Sequence, residues 1–247
     1  MEPCASNEND LAPQTRDFYR HVVTALAHSQ LPFLVGGAYA LGCYTGITRD
    51  TKDFDIFVRP REVGAILEAL ARAGYRTDLT DAVWLGKAYF GDAFVDVIFN
   101  AGNGLAPVDD EWFEHAVDGE LLGAPLKLIP AEEMIWQKAF VMTRDRYDGA
   151  DIAHVLRARA ELLDWPRLVR RFGPDWRVLY HHLIVFGYIY PSERARIPNA
   201  VMQDFNERLQ QELAALPPTE RVCRGTLLST TQYVMDVGRW GYRDARE

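Results

Sequence analysis

Apolar residues in the first half of the chain change between helical and strand-like spacing. Residues 17–27 and 61–73 carry apolar side chains three or four positions apart, a spacing that predicts two amphipathic helices. Short runs rich in Phe, Ile and Val interrupt this pattern and favour strands. The predicted strands cover residues 31–37, 53–58, 83–85, 87–90 and 94–99. The first half is therefore expected to form a mixed sheet flanked by helices.

The second half lacks strand-like runs and is predicted to be helical. Pro130 occupies a first helical position, and Glu132 and Glu133 follow in the first turn, where the helix dipole favours acidic side chains. Further helical patterns cover residues 151–163, 166–172, 175–189, 198–216 and 227–237.

This change of pattern predicts an α+β fold in two parts. Residues 1–127 would form the domain with the mixed sheet, and residues 1–12 look like a flexible tail. Residues 128–247 would form a helical region that binds the substrate.

Two aspartates share one predicted strand. Asp53 and Asp55 lie two positions apart, and residues i and i+2 of a strand point to the same face. Their α-carbons would be about 7 Å apart, while Phe54 and Ile56 face the core. Adjacent carboxylates repel each other unless a cation lies between them. Their hard oxygen atoms suit Mg²⁺, which also keeps water and phosphate ligands.

A third aspartate lies in a strand that is apolar on both faces. Asp96 is embedded in the run Phe-Val-Asp-Val-Ile-Phe, and a buried ionised carboxylate is costly unless it has a partner. A metal shared with Asp53 and Asp55 would supply that partner if the two strands are neighbours. Three carboxylates can hold two metal ions, which can stabilise the attacking and leaving oxygen atoms of a phosphoryl group.

The composition limits the classes of partner. The chain has 247 residues and a formal net charge of -8, so its overall balance does not favour a long contact with nucleic acid or an anionic membrane. Cys4, Cys43 and Cys223 lack the close spacing of a zinc site. The polar N-terminus is unlike a signal peptide, and no apolar run reaches the roughly 18 residues of a membrane span. We expect a cytoplasmic protein with no membrane partner.

In their order along the chain, these residues resemble the DNA polymerase β-like nucleotidyltransferase superfamily. The likeness is greatest to its small bacterial members, which include lincosamide and aminoglycoside nucleotidyltransferases and AbiEii-type toxins. It spans about residues 33–156. The matching positions are Gly36, Gly37, Gly46, Arg49, Thr51, Asp53, Asp55, Asp96, Lys138, Asp148 and Asp151.

The resemblance implies roles for the carboxylates and the glycine pair. Asp53, Asp55 and Asp96 would bind the metal, and Asp96 would also lie near the acceptor hydroxyl as a candidate general base. Gly36 and Gly37 would hold the nucleotide phosphates. Many superfamily members have Gly-Ser at this pair, so one hydroxyl contact to a phosphate is absent here.

The resemblance also implies the reaction. The protein would move a nucleoside monophosphate from a nucleoside triphosphate, such as ATP, to a hydroxyl group and release pyrophosphate, with Mg²⁺ or Mn²⁺ as cofactor. Arg49 and Thr51 would flank the phosphate pocket, and Lys138 would reach the triphosphate. No motif identifies the acceptor, which could be a small molecule, a protein or a tRNA.

Other interpretations stay open at the level of sequence. A lone Asp-x-Asp is common in turns and at surface edges, and a single buried aspartate can bond a backbone amide or an arginine. The chain could be a nucleotide-binding module without turnover, such as one component of a toxin–antitoxin pair. Its Asp-x-Asp is also similar to that of the haloacid dehalogenase phosphatases, although Phe57 stands where these have Thr or Val.

Two further polar pairs have ordinary structural explanations. Asp148 and Asp151 flank Gly149 and are typical of turn or N-cap positions. His181 and His182 are adjacent, and neighbouring side chains on a helix do not face one site. We expect one histidine in the core and the other on the surface.

Overall fold

Two compact units make up the protein, with the boundary between Pro130 and Ala131. The computed structural model describes residues 12–49, 51, 53–121 and 123–247. The tail predicted at residues 1–12 therefore lies, except for Ala12, outside the described residues. The N-terminal unit contains a seven-stranded sheet, and the C-terminal unit is mostly helical. This architecture confirms the predicted α+β class.

The N-terminal unit is a mixed sheet flanked by helices. Its strand order is β3-β4-β5-β2-β1-β7-β6. The pairs β2–β5 and β1–β7 are parallel, and the other neighbours are antiparallel. In chain order the elements are α1 (Pro13–Ser29), β1 (Leu34–Val35), α2 (Gly37–Thr45), β2 (Asp53–Phe57), α3 (Val63–Arg72), β3 (Arg76–Asp81), β4 (Leu85–Phe90), β5 (Ala93–Ile98), α4 (Asp110–Glu114), β6 (Val117–Leu121) and β7 (Ala124–Leu128).

One face of the sheet is packed against α1 and α3, and we call it the covered face. Phe54, Val95 and Ala88 point to it and are fully buried. The ring of Tyr19 in α1 stacks on Phe54 at 5.1 Å between centroids. The opposite face of β2 carries Asp53 and Asp55, so we call it the carboxylate face. The predicted alternation of β2 is confirmed.

The strand prediction was wrong at residues 83–90, where two predicted strands are one strand, β4. Gly86 lies in its middle, and a glycine in a strand usually weakens it. Here it gives room to Leu67 of α3, because a β-carbon on Gly86 would lie 3.2 Å from both Leu67 methyl groups. Gly86 thus allows α3 to pack closely on the sheet, and it does not interrupt strand β4.

The C-terminal unit contains six α-helices among the described residues. They are α5 (Ala131–Ala139), α6 (Gly149–Arg159), α7 (Trp165–Phe172), α8 (Trp176–Ile189), α9 (Asn199–Ala214) and α10 (Val234–Gly238). A short parallel pair, β8 (Val222–Cys223) with β9 (Arg243–Asp244), is also present. The helix predicted at 227–237 was wrong, since only its last part is helical. None of the described helices combines the length and the hydrophobicity that crossing a membrane requires.

Candidate active site

The three predicted carboxylates meet on the carboxylate face. Strands β2 and β5 are parallel neighbours, with Asp55 directly opposite Asp96. Asp53 lies two residues before Asp55 and projects to the same side. Each of the three side chains offers an oxygen atom, and these atoms all lie within 4.8 Å of one another. The strand pairing on which the assignment of Asp96 depended is therefore present.

Burial makes Asp96 the most unusual of the three groups. Its residue exposure is only 9 %, although it points away from the covered face to which Val95 and Val97 belong. This burial raises the pKa of the Asp96 carboxyl above its ordinary value, and Lys87 offsets only part of the rise. The carboxylate thus lies in a medium that opposes its charge, which favours a nearby cation.

Lys87 also belongs to this cluster, and the sequence analysis did not predict it. It lies in β4 directly opposite Asp96, and its Nζ is 2.7 Å from Oδ1 of Asp96. The same Nζ lies 3.9 Å from the centroid of the Phe94 ring. A weak signal was available, because a lysine between the small residues Gly86 and Ala88 faces the side of the strand opposite to theirs.

The glycine pair brings the first turn of α2 against Asp55. The amide of Gly36 donates a hydrogen bond to the carbonyl of Asp55 at 3.0 Å. Gly37 has a φ of +55°, and a β-carbon there would overlap Oδ2 of Asp55. A β-carbon on Gly36 would overlap the ring of Phe57. Neither position has room for a side chain in this arrangement.

The segment before β2 touches the cluster through Thr51. Its hydroxyl donates to the carboxylate of Asp53 and lies 3.1 Å from the Asp53 carbonyl oxygen. Thr51 thus orients the first carboxylate. Arg49 lies on the surface of the same segment, and its predicted place beside a phosphate pocket stays a prediction.

Lys138 belongs to the C-terminal unit and is held there by two acids. Its Nζ lies 2.9 Å from Asp148 and 2.9 Å from Asp151. Asp148 occupies the N-cap position of α6 but makes no capping hydrogen bond with its side chain. It instead accepts hydrogen bonds from Arg146 and Lys138. The predicted contact of Lys138 with a triphosphate stays a prediction.

The carboxylate cluster fits a divalent cation. Its three carboxylates and the ammonium of Lys87 sum to a formal charge of -2, counted as three negative charges and one positive charge. The available ligand atoms are all oxygen, which is the donor type that Mg²⁺ and Mn²⁺ bind. The residues present could therefore hold such an ion.

Comparison with known protein families gives a match that covers the candidate site. A protein family described as "Uncharacterised nucleotidyltransferase" matches residues 15–173, a stretch that includes the three carboxylates, the glycine pair and Lys138. No curated protein matches the chain.

Solved structures with a related fold share little sequence with this chain. The solution structure of the antibiotic-resistance factor ANT(2'')-Ia is 20% identical, with a TM-score of 0.48, and the match covers 70% of this chain and 98% of that chain. The lincosamide antibiotic adenylyltransferase LnuA, bound to lincomycin, is 14% identical, with a TM-score of 0.42, covering 60% and 99%. JHP933 from Helicobacter pylori is 14% identical, with a TM-score of 0.43, covering 82% and 100%.

Proposed function

Because the chain belongs to the family described as uncharacterised nucleotidyltransferases, we propose that it transfers a nucleoside monophosphate from a nucleoside triphosphate to a hydroxyl group. The acceptor oxygen forms a bond to the α-phosphorus, the bond from that phosphorus to the β-phosphate oxygen breaks, and pyrophosphate leaves. The observation that carries this proposal is the convergence of Asp53, Asp55 and Asp96 within 4.8 Å. That convergence favours a complete site over a module without turnover.

The residues of the proposed site divide into metal ligands and a residue that orients one of them. Asp53, Asp55 and Asp96 would hold Mg²⁺ or Mn²⁺, which would supply positive charge to the phosphate oxygens. Asp96 is also the candidate acceptor of the proton from the attacking hydroxyl. Thr51 orients Asp53 through its hydroxyl.

The phosphate contacts come from other parts of the chain. The glycine pair opens helix α2, with Gly36 as its N-cap and Gly37 as its first residue, and the amides of a first helical turn favour anionic groups. Arg49 is proposed to flank the phosphate pocket at this turn. Lys138 is proposed to contact the triphosphate. We expect ATP or another nucleoside triphosphate as donor, a small molecule, a protein or a tRNA as acceptor, and a cytoplasmic location.

The phosphatase interpretation fits the structure less well. It requires an Asp-x-Asp that follows an apolar strand, whereas β2 begins at Asp53 itself and the described residues before it, 46–49 and 51, are not strand. Release of inorganic phosphate from a phosphate ester would nonetheless be the result that favours it.

The first prediction concerns the paired carboxylates of β2. The protein is incubated with Mg²⁺, each labelled triphosphate and a panel of hydroxyl acceptors, and the labelled adduct and pyrophosphate are measured. Asp53→Asn and Asp55→Asn should each reduce transfer by at least about a hundredfold, because each removes a charged metal ligand. Asp118→Asn is the matched control, since Asp118 lies on the same sheet in an exposed ion pair. Undiminished transfer in both site variants would contradict the assignment of Asp53 and Asp55 as metal ligands of the active site.

A further inference from the structure

Lys87 makes a direct contact with a proposed metal ligand from the strand on its other side. Asp96 in β5 lies between Asp55 of β2 and Lys87 of β4, and both neighbours are directly opposite it in register. The Nζ of Lys87 and Oδ1 of Asp96 are 2.7 Å apart. A fixed cation therefore already occupies one side of the carboxylate that a divalent ion would need.

The position of Lys87 is determined by more than this ion pair. Its ammonium also lies over the Phe94 ring at 3.9 Å, and cations are attracted to the faces of aromatic rings. Its side chain is 18% exposed and that of Asp96 12% exposed, so water screens the pair only in part. The strand register, the aromatic ring and the carboxylate together hold the ammonium in place.

The charge of Lys87 acts in two directions. In the absence of a metal it offsets the repulsion among three carboxylates whose oxygen atoms lie within 4.8 Å of one another. It also repels an incoming divalent ion and competes with that ion for Asp96. A neutral side chain at this position would remove both effects.

We propose that Lys87 is a positioning residue that holds Asp96 in place before metal arrives and weakens the binding of free divalent ions to the cluster. This inference rests on the proposed function, since it assigns the metal to these carboxylates. A bound triphosphate adds negative charge to the site, so the metal binds best together with the nucleotide. Lys87 thereby favours loading of the metal–nucleotide complex over loading of the bare ion.

The test measures Mn²⁺ binding to the full-length protein without nucleotide, by electron paramagnetic resonance and by calorimetry. Lys87→Met keeps the length of the side chain and removes its charge, whereas Lys87→Arg keeps the charge. Lys127→Met is the matched control, because Lys127 also forms a cross-strand ion pair on the same sheet, with Asp118 at 2.6 Å, in an exposed position away from the carboxylate cluster. Thermal unfolding in a chelator is measured for each variant.

We expect Lys87→Met to bind Mn²⁺ roughly tenfold more tightly and to unfold at a lower temperature without metal, because one nearby positive charge is lost. Lys87→Arg and Lys127→Met should keep the wild-type affinity. In an Asp96→Asn background, Lys87→Met should tighten binding much less, since the two cations no longer share a carboxylate. Lys87→Gln provides the same comparison if the methionine variant does not fold.

A purely structural role for Lys87 would lower the unfolding temperature and leave the Mn²⁺ affinity unchanged, and that result would overturn the inference. Weaker Mn²⁺ binding in Lys87→Met would also overturn it. Failure of the proposed function has a different signature: the wild-type protein would bind Mn²⁺ with the expected dependence on Lys87 and yet transfer no nucleotide. The two ideas can therefore fail separately.

Discussion

Individual residues of the carboxylate cluster differ in how far the sequence predicts them. Asp53 and Asp55 follow from a local rule, because the two-residue period of a strand places both side chains on one face. The position of Lys87 beside Asp96 depends on the pairing of β4 with β5 in a hairpin whose turn is Gly91-Asp92. That turn is a local signal for a hairpin, but the sequence analysis predicted the acids without pairing these two strands and so missed the cation.

The contact between Gly37 and Asp55 gives a prediction at the scale of one atom. Gly37→Ala would place a β-carbon on Oδ2 of Asp55 and would also strain a backbone with a φ of +55°. We expect a loss of about 2–4 kcal/mol in the free energy of unfolding, from the strain and the displaced side chain. Nucleotide transfer and Mn²⁺ binding should fall with it. Chemical denaturation and the binding assay measure these effects.

Gly91→Ala is the matched control for that variant. Gly91 has a φ of +59°, and no atom lies within 4 Å of the position where its β-carbon would be. This variant isolates the backbone strain, which we expect to cost about 1 kcal/mol, and should keep full activity. Equal losses of stability and activity in both variants would contradict the importance of the contact with Asp55.

At the scale of whole elements, apolar pattern predicts the central strands better than the edges. β2 and β5 are central, and their apolar runs mark them clearly. β3 (Arg76–Asp81) and β6 (Val117–Leu121) are the edge strands, and β3 is almost entirely exposed. An exposed edge needs no apolar residues and is often polar. The sequence pattern gave no prediction of either edge strand, and it also missed β7, which lies inside the sheet between β1 and β6.

A buried ion cluster joins two helices of the C-terminal unit. Glu133 of α5 has no exposed surface and contacts Arg167 and Arg171 of α7. Arg167 also pairs with Glu132 at 2.7 Å. Removing one partner leaves the other charges buried without full compensation. The polar pattern predicted acids in the first turn of a helix but not this pairing, which depends on how α5 and α7 pack.

Neutralising Glu133 is the prediction at this scale. Glu133→Gln should lower the free energy of unfolding of the C-terminal unit by about 3 kcal/mol, because it removes the buried negative charge that Arg167 and Arg171 both contact. The control is Glu68→Gln, which removes an exposed i,i+4 pair with Arg72 and should cost at most about 0.5 kcal/mol. Denaturant titration compares the variants. Similar small losses in both would contradict a structural role for the buried cluster.

At the scale of the whole molecule, the division into two parts follows from a change of pattern that is visible in the sequence. A sheet-forming pattern gives way to helical spacing near the boundary at Pro130 and Ala131. Which helix faces become buried in the second part is less visible. The prediction of one buried and one surface histidine at His181 and His182 is nevertheless confirmed.

The buried histidine makes the stability of the protein depend on pH. Burial lowers the pKa of His182 from 6.5 to about 4, although the carbonyl of Ala139 accepts a hydrogen bond from its Nε2. The unfolded chain therefore binds a proton between these values that the folded chain does not. The contribution of His182 to the free energy of unfolding is therefore full above pH 6.5. It falls by up to roughly 3 kcal/mol as the pH decreases towards 4.

Thermal unfolding across this pH range measures the effect. His182→Gln should remove most of the decrease that begins near pH 6.5, at a cost in stability at neutral pH. His181→Gln should keep it, because the ring of His181 is exposed. An identical decrease in both variants would assign the pH dependence to other groups.

The carboxylate cluster forms only in the observed register of β5 against β2. Shifting the pairing by a single residue would turn every side chain of β5 to the opposite face. Asp96 would then enter the apolar layer beneath α1 and α3, and Val95 or Val97 would stand beside Asp55. Such a misfolded sheet would lose both its core and its proposed metal ligands. The hydrophobic pattern that stabilises the fold therefore also selects the register in which the carboxylate cluster forms.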